Sequence, residues 1–174
     1  MNPKLESLFD EPEKAYLQPH ELNALSQLVS SLPDRINLYR RLRNEELTLM
    51  QAVADALQQK FPQESEDKLK RSLQNGMLMV RYAALAMLTD DVEMVVKRLE
   101  TWLPEMIEAY GTRAVDEALY QLIRDQFVGR FTPAQMALLT PGLDAAQNLI
   151  KPPSPANYDD DDTEITSDTL VGFF

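Results

Sequence analysis

The chain has 174 residues, the size of one domain with a sizeable core. Apolar residues make up 44% and charged residues 26%, the balance of an ordinary globular protein, and no run of about 18 apolar residues offers a membrane span. A net charge of −11 repels nucleic acid and anionic lipid, zero cysteines exclude disulfides, thiolate chemistry and thioether-linked cofactors, and a lone His20 leaves no triad or histidine-rich metal site.

Helical spacing of the apolar residues runs almost the whole length, and strand-like alternation is missing, which predicts an all-α fold. Residues 1–15 form a short amphipathic extension carrying Leu5, Leu8 and Phe9, followed by Tyr16 and Leu17. Its acidic residues lack the positive start and apolar run of a signal peptide, so a cytoplasmic protein is expected. A helix opens at Pro19 with Leu22, Leu25, Leu28 and Val29. Pro33 suits an early helical position, so a second helix is expected from there to about Lys60, its stripe formed by Leu42, Leu49, Val53 and Leu57. The same region holds the only basic cluster, Arg35, Arg40, Arg41 and Arg43, which fits a solvated or salt-bridged helix face.

Phe61-Pro62 ends that helix, and Ser65 is placed to cap the next, which reaches about Thr89. Asp90 or Asp91 then caps a helix that Pro104 should kink or break before Gly111 terminates it. A further helix covers about Ala114 to Val128. Thr132-Pro133, with Gln135 at the third helical position, and Thr140-Pro141 each read as a helix start, and the last helix ends near Ile150.

From Lys151 the composition changes. Residues 151–174 carry three prolines and the acids Asp159 to Asp162, Glu164 and Asp168, with no apolar face to offset ordering entropy, so disorder in isolation is expected. The segment nevertheless ends in Leu170, Val171, Gly172, Phe173 and Phe174, which has the make-up of a docking peptide on a tether.

Two stretches carry a family resemblance. Tyr16-Leu17-Gln18-Pro19-His20-Glu21-Leu22 resembles the opening of the first globin-type helix of phycobiliproteins, the light-harvesting subunits of phycobilisomes. Arg81-Tyr82-Ala83-Ala84-Leu85-Ala86-Met87-Leu88 resembles their chromophore helix, and the likeness continues through Leu99 and Glu108-Ala109-Tyr110-Gly111, covering residues 16–150. The resemblance implies a globin-like helical bundle. It also implies a cysteine nine residues before Arg81, an aspartate three residues after that cysteine, and an arginine between them. This chain has Ser72, Asn75 and Gln74 there, so the attachment chemistry of an open-chain tetrapyrrole is gone and no cofactor is expected.

The expected function is therefore association without pigment: an interaction factor in assembly, anchoring, turnover or regulation of phycobilisomes or the photosystems they serve. Partner contacts are expected from Leu5, Leu8, Phe9, Tyr16 and Leu17 at one end and from Leu170, Val171, Phe173 and Phe174 at the other. Homo- or heterodimers are compatible with this reading, and membrane association would run only through a protein partner at the cytoplasmic face of the thylakoid. The alternative is a globin-like sensor whose vestigial pocket, lined by Ser72, Asn75, Met79 and Tyr82, holds a non-covalent tetrapyrrole or another apolar ligand. Lys68, Lys70 and Arg71 would then meet its propionates. Haem would need an axial ligand, for which His20, Met77, Met79 and Met87 are poorly suited candidates. Adjacent acids such as Glu45-Glu46 diverge on a helix, and the Asp159–Asp162 run lacks the spacing of an organised calcium loop, so neither enzymatic activity nor a metal is expected.

Overall fold

The computed structural model describes residues 16–151, and these form six helices with no strand among the described residues. The first, α1, spans Pro19–Lys60 as a single 42-residue helix, where two had been expected. Its start is a capping box between Gln18 and Glu21, whose carboxylate accepts the Gln18 N–H at 2.7 Å, with Pro19 in the first turn. Pro33 lies inside without ending the helix. It removes the N–H that Val29 C=O would accept, but Val29 is exposed, so water can satisfy that carbonyl. The preceding turn is further relieved by Ser30 Oγ and Ser31 Oγ, which donate to the carbonyls of Gln27 and Leu28 at 2.9 and 2.8 Å.

Helix α2, Glu66–Thr89, starts where Ser65 Oγ accepts the Lys68 N–H at 3.3 Å and ends at Asp90 in the left-handed region, φ 55°. Asp91 then accepts the Met94 N–H at 3.2 Å as α3, Glu93–Leu99, begins. The expected kink at Pro104 is a full break: α4 is a separate helix, Leu103–Tyr110, with Pro104 in its first turn and Gly111 at φ 58° closing it. Helix α5 spans Arg113–Val128. Helix α6, Pro133–Ile150, opens on the expected Thr132–Gln135 capping box, but Thr140-Pro141 does not start a new helix. The Thr140 hydroxyl instead bonds back to Met136 C=O at 2.8 Å and the helix continues through Pro141.

Helix α2 is the centre of the bundle, touching α1, α3, α5 and α6. Its closest neighbour is α6, because Gly142 lets the two backbones meet. A Cβ at position 142 would lie 3.1 Å from Ala83 Cα and 3.2 Å from Ala83 O. Leu38, Leu57, Leu99, Leu103, Leu119, Ile123, Phe127, Leu139 and Leu143 fill the core between these helices. Arg124 ties α5 to α6 by bonding Asp144 at 2.5 Å and the Tyr120 hydroxyl at 3.0 Å. The result is a globin-like all-α bundle. No helix among the described residues is long and apolar enough to cross a membrane.

Candidate interaction surface

Ser72, Asn75 and Met79 point from α2 into the packed core, and Tyr82 is half-buried against it. They line neither of the two apolar-floored hollows described below. Helix α5 packs against this stretch of α2. Leu119 Cδ2 comes within 2.8 Å of where a Gly76 Cβ would stand, and Ile123 Cδ1 within 3.3 Å. Beside this contact lies a polar cluster that sequence reading missed. The Thr112 hydroxyl donates to Asp116 Oδ2 at 2.5 Å, while Asp116 Oδ1 and Ser72 Oγ, both inaccessible to solvent, lack a partner in hydrogen-bond geometry. Burial raises the Asp116 pKa above the ordinary carboxylate value, opposed by the Thr112 and Ser72 hydroxyls and the charge of Arg113. A threonine four residues before an aspartate on adjoining helical turns was the available signal, but burial was not legible.

The larger hollow, about 490 Å³, lies between the end of α1 and the start of α2, with Phe61, Leu69, Leu73 and Met77 on its floor. Its rim carries Asp55, Glu64 and Glu66 against Lys70, so propionate groups would meet net negative charge. The other cations expected to serve a tetrapyrrole are engaged elsewhere. Lys68 pairs with Glu64 at 3.4 Å, and the Arg71 guanidinium stacks over Tyr110 at 3.6 Å from the ring centroid. His20 is exposed in the first turn of α1, Met79 and Met87 are core, and no carboxylate or histidine group among the described residues could hold a metal.

The most unusual surface belongs to α1. Leu22, Val29, Ile36 and Leu47 are 51%, 55%, 38% and 77% exposed. Seven residues are close to two helical turns and eleven close to three, so these four side chains stand in one line. The ridge runs about 38 Å, at 1.5 Å per residue. Leu25, Leu28 and Leu32 flank it, half-buried. Among the described residues, 19–37 contribute no side chain to the apolar core, which begins at Leu38. Of the expected contacts, Tyr16 is exposed and Leu17 half-buried at the foot of this ridge; Leu5, Leu8, Phe9, Leu170, Val171, Phe173 and Phe174 lie outside the described residues. In the sequence the stripe ends at Val29, because Pro33 reads as a helix start.

The basic cluster divides by role. Arg35 binds Asp90 at 2.7 Å and Met87 C=O, and Arg41 binds Glu45 at 2.8 Å and Arg130 C=O at 2.9 Å while lying over Phe131. Both are structural. Arg40 and Arg43 are exposed and have no carboxylate partner among the described residues. Beside them a groove of about 340 Å³ opens between α1 and α2, lined by Tyr39, Leu42, Arg43, Glu46, Val80, Arg81, Ala84 and Leu85. Its mouth is braced by Arg81, which holds both Glu46 oxygens at 2.7 and 2.9 Å.

Residues 10–150 match the protein family described as Phycobilisome protein. No curated protein matches the chain.

Proposed function

The chain belongs to the phycobilisome protein family, and from that premise we propose that it is a colourless docking subunit, one that associates with phycobilisome or photosystem components through α1. The observation that carries this reading is the exposed ridge Leu22–Val29–Ile36–Leu47, four apolar side chains left open along one line of a single helix, with Arg40 between the last two. An amphipathic helix on a partner laid along it would use the same spacing of anchors. The sequence has no cysteine for a thioether, and the matched position, Ser72, is closed off by α5. Residues 16–150 serve as the folded unit, with 1–15 and 151–174 as its appendages; membrane association would be indirect. The role is association in assembly, anchoring, turnover or regulation, with no catalytic step.

A sensor reading has one observation in its favour, the 490 Å³ hollow, which is within the size range of small-molecule sites. Its acidic rim favours a neutral or cationic ligand over a tetrapyrrole dianion. Purification of the full chain from its native host separates the two readings. Docking predicts that the chain co-purifies with phycobilisome or photosystem subunits and, once separated from them, has no visible absorption. A bilin or Soret band that stays with the separated chain through gel filtration would overturn it.

A further inference from the structure

The α1/α2 groove and the end of the chain are chemically complementary. Tyr39, Leu42, Val80, Ala84 and Leu85 give the groove an apolar interior; Arg43 on its wall and Arg40, three residues before it on α1, are exposed and have no carboxylate partner among the described residues. The sequence after Lys151 ends in Leu170, Val171, Gly172, Phe173 and Phe174, preceded by Asp168, Glu164 and Asp159 to Asp162. We infer that this terminus occupies the groove of its own domain. Phe173 and Phe174 fill the apolar interior, and Asp168 faces Arg43 and Arg40.

Length permits the contact. Twenty-three residues follow Lys151. They span up to about 75 Å when extended and about 26 Å as a flexible coil, against a domain diameter of about 37 Å for this many ordered residues. Tethering at that length supplies an effective concentration of order millimolar, so a weak intramolecular contact is well populated where the free peptide would not be. The concave groove with its free guanidinium suits an aromatic, acidic peptide better than the convex ridge does. Docking there also places an acidic segment beside Ile36 and Leu47, where it would compete with a partner. The inference does not depend on that competition, or on what binds the ridge.

The absence of native cysteine makes the test clean. A nitroxide on Thr169→Cys in the full-length, isotope-labelled chain should broaden the amides of Tyr39, Arg43, Arg81 and Leu85 more than those of α4 or α6. The broadening should be lost in the same chain carrying Phe173→Ser and Phe174→Ser, and weakened by Arg43→Glu or by raised salt. A mixture of spin-labelled unenriched chain with unlabelled enriched chain should show none. Broadening in that mixture would assign the contact to a second copy and overturn the intramolecular docking. Broadening elsewhere, or nowhere, would overturn the groove. Because the tail variants leave residues 16–151 intact, loss of folding does not confuse the result.

Discussion

Helix α1 is one element with two fates. From Leu38 to Leu57 it places Leu38, Leu42, Leu49, Met50, Val53 and Leu57 in the core against α2 and α5. From Pro19 to Asn37 it buries only Glu21, the capping carboxylate, and turns Leu22, Val29 and Ile36 outward. Both halves carry apolar residues at helical spacing, though the inner half is richer in them; what differs is whether the other described helices cover those residues. A 42-residue helix is about 63 Å long, well beyond a domain of this size. Among the described residues its outer half meets no apolar core, which is the physical basis for proposing a partner there.

The largest expected effect sharpens this contrast within two residues. Leu49 is 2% exposed and Leu47 is 77% exposed, on the same stretch of α1. Leu49→Ala should cost about 3 kcal/mol of stability, the transfer term plus a cavity. Leu47→Ala should change it by less than about 0.5 kcal/mol. Denaturant titration of both variants checks the pair, and equal losses would mean that α1 is buried all round.

Next comes the packing of the centre. Gly142→Ala places a methyl 3.1 Å from Ala83 Cα, a backbone atom that cannot swing away, and should cost about 1–2 kcal/mol. Gly76→Ala meets the Leu119 Cδ2 methyl at 2.8 Å, the end of a flexible side chain, and should cost less. Thermal melts rank the two, and the reverse order would contradict the α2–α6 contact as the tightest in the bundle.

A subtler effect concerns pH. Asp116 has its pKa raised by burial, so the folded protein holds this proton more tightly than the unfolded chain does. Stability should therefore fall as pH rises from the ordinary carboxylate value near 3.8 through the raised one, and recover on acidification through the same window. Asp116→Asn, which can still accept from Thr112, should remove that part of the slope. Identical pH profiles for the two proteins would mean that Asp116 is not held in the environment described. A small effect is expected at the rim of the groove. Glu46→Gln breaks a pair whose arginine is about half exposed, and should cost under about 1 kcal/mol.

Much of the fold was legible because its signals are local. Ser65, Gly111 and the Thr132–Gln135 box sit at real helix ends, and the 3.6-residue periodicity marked the core faces. Pro33, Pro104 and Pro141 look alike in sequence and behave differently. Pro104 falls in a first turn, whereas Pro33 and Pro141 lie within helices, and for Pro33 an exposed carbonyl and serine back-bonds soften the cost. That outcome depends on surroundings, not on the residue. The site divides the same way. The loss of the attachment thiol at Ser72 could be read directly, since it is one atom at one position. The packing of α5 onto this stretch could not, because it requires Leu119 and Ile123, more than forty residues away, to come against Gly76.

The claim on which the account turns is that the exposed ridge of α1 is a partner surface. Leu22→Asp, Val29→Asp and Leu47→Asp combined in the full-length chain and expressed in the native host test it most directly. The account predicts an unchanged melting temperature together with loss of the phycobilisome or photosystem subunits that co-purify with the unaltered protein. Recovery of the same subunits in the same proportion by the substituted chain would contradict it.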